Sequence, residues 1–281
     1  MKFGLSSLAW QSPFSNPMEI FAKAKKYGCD SYEICIEDFE SIDVDEINKA
    51  KEKYQIETTT VCGAFGETRD VSSDNPEYRQ GGIDYIKGMI DVAEKIGCRT
   101  VVGPMYSACG KARQQTPEEK AQQWDWAVEN LKIVAAYAKK KEIRLAIEPL
   151  NRFETDFINT VDQGLELIDR IGFDNVGLLL DTFHMNIEEE NIPAAIRKAG
   201  DKVFHLHTCA NNRGIPGRDN FDWAAIASAV KDIGYDDYCV IESFTPECKE
   251  IAKSASVWRA FCESPEAIPE QGIPFLSTVF A

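Results

Sequence analysis

The chain has 281 residues, 44% of them hydrophobic and 27% charged, a composition that excludes a disordered chain, a collagen-like fibre or a small disulfide scaffold. Its 46 Asp and Glu outweigh 31 Lys and Arg, leaving a formal charge of −15. Such a surface repels nucleic acid and anionic membranes, so neither is an expected partner.

Short apolar or β-branched runs alternate with longer stretches whose apolar residues recur at helical spacing. The first strand is expected at 3–9 and the first helix at 17–27, opened by Pro17 and closed by Gly28. Strands at 31–36, 57–63 and 100–104 alternate with helices at 43–54 and 77–96. A long helix follows at 116–141, where Thr116-Pro117-Glu118-Glu119 supplies a cap, a proline and acidic first-turn residues. The second half repeats the pattern, with strands at 144–149, 176–181, 203–208 and 238–243 and helices at 160–171, 192–199, 222–233 and 247–263. Gly97, Gly172, Gly200 and Gly234 each follow a helical stretch, where a left-handed C-cap favours glycine.

Eight successive β-α units imply parallel strands with right-handed crossovers. At about 35 residues each they fit an α/β fold consisting of a single (β/α)8 TIM barrel, which typically takes ~250 residues. A doubly wound open sheet is the rival. It usually carries a Gly-rich phosphate loop after its first strand, and here Ala9-Trp10-Gln11-Ser12-Pro13-Phe14 stands there instead. The barrel domain is assigned to residues 1–263. The tail, 264–281, ends in an apolar segment expected to dock on the barrel or on a partner subunit.

Residues 1–13 are too short and polar for a signal-peptide core, and no run approaches the ~18 apolar residues of a membrane span. Nine cysteines, odd in number and without a CxxC pair, read as free thiols in a reducing compartment, so a cytoplasmic location is expected.

Reactive groups in such barrels sit at the C-terminal ends of the strands. The expected ends of strands five to eight carry Glu148, Asp181, His207 and Glu242, spaced 33, 26 and 35 residues apart. Each spacing is close to one β-α unit, so the four side chains converge on one point. Burying three carboxylates beside one imidazole without a cation would be prohibitive. A divalent metal resolves the charge, and the oxygen-rich donor set favours Mn²⁺, Co²⁺ or Mg²⁺ over a cysteine-rich zinc site. The chain has only three histidines. His205 shares a face with His207 one layer deeper and is read as a core or supporting residue. Cys209 is read as a buried thiol rather than a competing ligand.

Several motifs at these positions resemble the D-tagatose 3-epimerase (ketose 3-epimerase) family of xylose-isomerase-like barrels. They are Ile147-Glu148-Pro149-Leu150-Asn151-Arg152-Phe153-Glu154, Leu180-Asp181-Thr182-Phe183-His184-Met185-Asn186, and His205-Leu206-His207-Thr208 followed by Asn212-Arg213-Gly214 and Pro216-Gly217. Gly103-Pro104-Met105-Tyr106-Ser107 resembles the segment after strand four. The resemblance implies one divalent metal, Mn²⁺ foremost, held by Glu148, Asp181, His207 and Glu242. It implies Glu148 and Glu242 as the acid/base pair, and Glu154, His184 and Arg213 as residues that hold a sugar near O1 and O2.

The expected activity is C3 epimerisation of a free ketose through a cis-enediolate, in an enzyme expected to form a homodimer or homotetramer. An aldose–ketose isomerase and a C-glycoside (3-oxo-sugar) lyase are the alternatives on the same site. A sugar-binding protein without turnover is disfavoured, because binding alone does not need two bases. The chain departs from the family at Ala210, where a glutamate is usual. That change is expected to widen the mouth, whose other walls are expected to include Trp10, Phe14, Phe65 and Met105.

Overall fold

The computed structural model describes the backbone of all 281 residues and every side chain except that of Glu250. In chain order the first half comprises β1 (Lys2–Ser6), α1 (Pro17–Lys26), β2 (Ser31–Ile36), α2 (Val44–Tyr54), β3 (Thr60–Gly63), α3 (Pro76–Lys95), β4 (Thr100–Gly103) and α4 (Pro117–Lys140). The second half comprises β5 (Arg144–Ile147), α5 (Val161–Ile171), β6 (Val176–Asp181), α6 (Thr182–Glu188), α7 (Ile192–Ala199), β7 (Val203–His207), α8 (Trp223–Asp232), β8 (Tyr238–Ile241), α9 (Lys249–Ser254) and α10 (Ala267–Val279). Each strand pairs in parallel with the next, and β8 returns to β1 through Lys2↔Tyr238 to Leu5↔Ile241, closing an eight-stranded barrel.

Side chains two apart on a strand share a face, and closure sorts them into two clusters. Tyr32, Ile34, Ile36, Val61, Val101, Leu145, Leu178, Leu180 and Leu206 face outward into the large core beneath the helices. Cys35, Cys62, Val102, Ala146 and Leu179 belong to a smaller cluster with Leu8 and Phe244. Their parity is that of Glu33, Thr60, Thr100, Glu148 and Asp181, so the same strand faces carry apolar filling and polar groups.

The helices begin and pack as their sequences dictate. Thr116 and Thr160 each form a reciprocal capping box with the residue three positions on, satisfying two otherwise orphaned backbone donors. Along α5 the buried residues Val161, Gly164, Leu167, Ile168 and Ile171 form one stripe. Gly164 permits its close approach to the barrel, since a Cβ there would lie 2.8 Å from Leu178 Cδ2.

The structure departs from the sequence reading at several elements. Strand β3 starts at Thr60, and Glu57 makes only an isolated bridge to Ser31. Of the helix expected at 247–263, only Lys249–Ser254 forms. The helix that packs against β1 and α8 is α10, within the segment read as a tail. Phe275 meets Trp223 edge-on at 5.9 Å and Phe280 packs on Phe3 at 6.1 Å. Apolar periodicity alone did not distinguish these two stretches, because the partner surface comes from distant residues. Phe14, Phe65 and Met105, expected at the mouth, are buried within the large apolar core. Half-buried Trp10 stacks on Tyr32 and donates from Nε1 to the Pro265 carbonyl at 3.2 Å.

Candidate active site

Asp181 and His207 end β6 and β7 as register partners, while Glu148 and Glu242 lie one residue beyond β5 and β8. Parallel strands deliver all four to the same end of the barrel. One ligand atom from each residue falls within 4.8 Å of the others. His207 Nδ1 lies 3.4 Å from Glu242 Oε2, 3.8 Å from Asp181 Oδ2 and 4.0 Å from Glu148 Oε1. None of the four residues is more than 5% exposed.

Local structure aims each group. Asp181 caps α6 by accepting the Phe183 N–H at Oδ1 (2.7 Å), which turns Oδ2 toward the other donors. The chain leaving β5 is held by Tyr106, whose hydroxyl donates to the Glu148 carbonyl at 2.9 Å and accepts the Leu150 N–H at 3.3 Å. Tyr106 is itself fixed in a stack with Phe157 and Trp124, with ring centroids 5.2 and 5.1 Å apart.

Burial and the charge of Glu242 push the Glu148 carboxyl well above the usual carboxylate range. Burial opposes a charge on His207, but Glu33 and Glu242 outweigh it and raise its pKa. Burial likewise opposes ionisation of Asp181, and Arg213 overrides it, holding that carboxyl low. Both shifts favour the protonated forms of Glu148 and His207. Glu148 Oε1 and His207 Nδ1 are buried atoms without a hydrogen-bond partner, and both face the common point. Oxygen donors with one imidazole nitrogen, two of them unpartnered, fit a divalent cation.

Arg213 adopts a left-handed backbone (φ 62°), sparsely populated for a non-glycine residue. Its guanidinium lies 4.2 and 4.7 Å from the ring centroids of Phe183 and Phe244. Nη1 donates to Asp181 Oδ2 at 2.6 Å and to Glu242 Oε2 at 3.0 Å. The residue is thus buried among the carboxylates rather than standing on an open rim. His184 lies in the first turn of α6, three residues after Asp181, which swings it back over the site. Its Nδ1 accepts the Asn151 N–H at 3.1 Å. Its Nε2 lies 3.6 Å from Glu148 Oε1 and 3.1 Å from Arg213 Nη2. Asn151 also donates to Glu154 Oε1 at 2.7 Å, so one amide joins Glu154 and His184 at the rim.

Two contributors escaped the sequence reading. Asn151 is one. The other is Glu33 on β2, fully buried, whose Oε2 lies 3.1 Å from His207 Nε2. An acid in the middle of the apolar run 31–36 was the available signal. His205 lies beneath His207, its Nε2 3.7 Å from Glu33 Oε2. Cys209 donates from Sγ to Glu242 O at 3.0 Å, and burial raises its pKa, keeping it a thiol. Ala210 is fully buried, and its carbonyl accepts the Arg213 N–H at 3.0 Å, so it does not stand on an open rim.

A cavity of about 570 Å³ opens at the opposite end of the barrel, lined among others by Thr60, Arg144, His205 and Asp237. It contains none of the four converging donors, and Arg144 there is already paired with Asp237 and Thr100.

The fold and this constellation define a xylose isomerase-like barrel. The model of that family, described as xylose isomerase-like TIM barrel, matches residues 21–277, and the chain belongs to it. A "Probable ketose 3-epimerase" of Synechocystis sp. is 34% identical over 281 residues, covering 100% of this chain and 97% of the relative. A D-psicose 3-epimerase of Ruminiclostridium cellulolyticum is 31% identical, covering 92% and 89%. The solved structure of an L-ribulose 3-epimerase superposes with a TM-score of 0.93 at 29% identity, covering 99% of this chain and 94% of that one.

Proposed function

We propose that the chain is a metal-dependent epimerase that inverts C3 of a free ketose. The observation that carries this reading is the convergence of Glu148, Asp181, His207 and Glu242 within 4.8 Å, with Glu148 Oε1 and His207 Nδ1 unpartnered. A divalent ion held by these four residues, Mn²⁺ first and Co²⁺ or Mg²⁺ next on the donor chemistry, supplies Lewis acidity toward the ketose oxygens at C2 and C3.

The remaining work falls to the chain's own groups. Inversion requires proton transfer on both faces of C3, and Glu148 and Glu242 arrive from strands three apart around the ring. One carboxylate takes the C3 proton as the C3–H electrons move into an enediolate across C2 and C3. The other delivers a proton to the opposite face. His184 and the Arg213 guanidinium hold the sugar at O1 and O2, and Glu154 accepts from a sugar hydroxyl. Phe183 and Phe244 flank the Arg213 guanidinium and hold it among the carboxylates.

The relatives named above act on a six-carbon and a five-carbon ketose, which supports a ketose substrate without choosing its length. Incubation with a panel of free ketoses and Mn²⁺ in D₂O, followed by proton NMR, tests the reading. Deuterium at C3 with appearance of the C3 epimer is the expected result. Exchange at C1 or C2 with an aldose product would replace it with an aldose–ketose isomerase.

A further inference from the structure

We propose that Glu33 is the positioning residue that holds His207 with Nδ1 turned toward the metal. This inference rests on the metal-centred reading above and extends it to a residue on the far wall of the barrel.

The two ring nitrogens of His207 face different surroundings. Nδ1 looks into the space bounded by Glu148, Asp181 and Glu242, and it has no hydrogen-bond partner. Nε2 faces the barrel interior and meets Glu33 Oε2 at 3.1 Å. An imidazole that donates Nε2–H to a carboxylate keeps the Nδ1 lone pair free, and the bond stops the ring rotating about its side-chain torsions. Partners of this kind orient a metal-binding histidine and raise its donor strength. Glu33 is built for the task. It is fully buried at the centre of β2, and its Oε2 also accepts the Thr60 hydroxyl at 2.6 Å. A carboxylate this deep is costly unless it is paired, and no Lys or Arg bonds to it among the described residues. His205 lies too far, at 3.7 Å, to share the bond. Glu33 thus spends its burial on His207.

The experiment compares wild type with Glu33→Gln, Glu33→Ala, Thr60→Val and His207→Ala. Mn²⁺ dissociation constants are measured by titration with EPR detection of free ion, and the Tm of each metal-free protein is recorded. Glu33→Ala should weaken Mn²⁺ binding by about 10–100-fold while the metal-free fold remains intact. Glu33→Gln, which keeps an acceptor of the same shape, should recover part of that loss. Thr60→Val should fall between wild type and Glu33→Ala. With only three histidines in the chain, ¹⁵N-imidazole NMR of the Mg²⁺-loaded protein reads the tautomer directly. His207 should carry its proton on Nε2 in wild type, and its Nε2 signal should shift in Glu33→Ala.

Mn²⁺ affinity within twofold of wild type in a folded Glu33→Gln and Glu33→Ala, while His207→Ala abolishes binding, would overturn the role of Glu33 and leave the metal reading standing. Absence of Mn²⁺ binding in wild type would overturn the metal reading itself. If Glu33→Ala does not fold, Glu33→Gln and Thr60→Val decide by the same affinity criterion.

Discussion

Tyr106→Phe removes one oxygen atom and tests whether the exit of β5 is held from behind. The hydroxyl donates to the Glu148 carbonyl and accepts the Leu150 N–H, and neither group has a backbone partner. Tyr106 is fully buried between Glu148 and the Phe157 ring, so water cannot replace the lost atom. Each orphaned buried group costs about 1–3 kcal/mol, so the pair costs at least about 2 kcal/mol. For a chain of this length 1 kcal/mol corresponds to about 2 °C in Tm, which places the expected drop near 4 °C or more. The Glu148 carboxyl would also lose its fixed approach. Displacing a reacting group by about 1 Å can cost about 10²-fold in rate, and a fall in kcat of about tenfold is expected. Thermal unfolding by circular dichroism and the D₂O epimerisation assay measure the two effects. A Tm within 1 °C of wild type together with unchanged kcat would refute the reasoning.

Four further outcomes are expected. Glu148→Gln and Glu242→Gln should each lower kcat by about 10²–10⁴-fold with the fold retained, and near-wild-type turnover in either would remove that residue from the acid/base pair. A chelator should abolish epimerisation and added Mn²⁺ or Co²⁺ should restore it. Because Glu148 and His207 have raised pKa values in the metal-free pocket, the ion must displace their protons. Mn²⁺ affinity should therefore rise with pH, by about tenfold per unit for each proton displaced, and a flat affinity across neutral pH would contradict this. Leu276→Ala, at a fully buried position on α10, should cost about 2–5 kcal/mol in denaturant unfolding, whereas a change under about 0.5 kcal/mol would show that α10 is dispensable to the barrel.

Some of this protein was legible before folding because it is periodic. The alternation of strand and helix gave the barrel, and a ligand-type residue recurred near each of four successive strand ends. Parallel strands in a closed ring send those ends to one face, so Glu148, Asp181, His207 and Glu242 could be brought together from spacing alone. His184 and Arg213 could be placed near that face because they follow Asp181 and His207 by a few residues. The partners that orient these groups had no such signature. Glu33 reads as an acid stranded in an apolar run until pairing of β8 with β1 closes the ring and sets β2 across the interior from His207. Ala210 reads as a gap at the mouth until the turn through Arg213 buries it. The segment 264–281 reads as a tail until Phe275 finds Trp223 and Phe280 finds Phe3. Strand period and helix spacing are local properties of a few consecutive residues. Which nitrogen of His207 is held, which guanidinium lies among the carboxylates and which helix covers β1 depend on contacts between residues far apart in the chain, and those exist only once the barrel has closed.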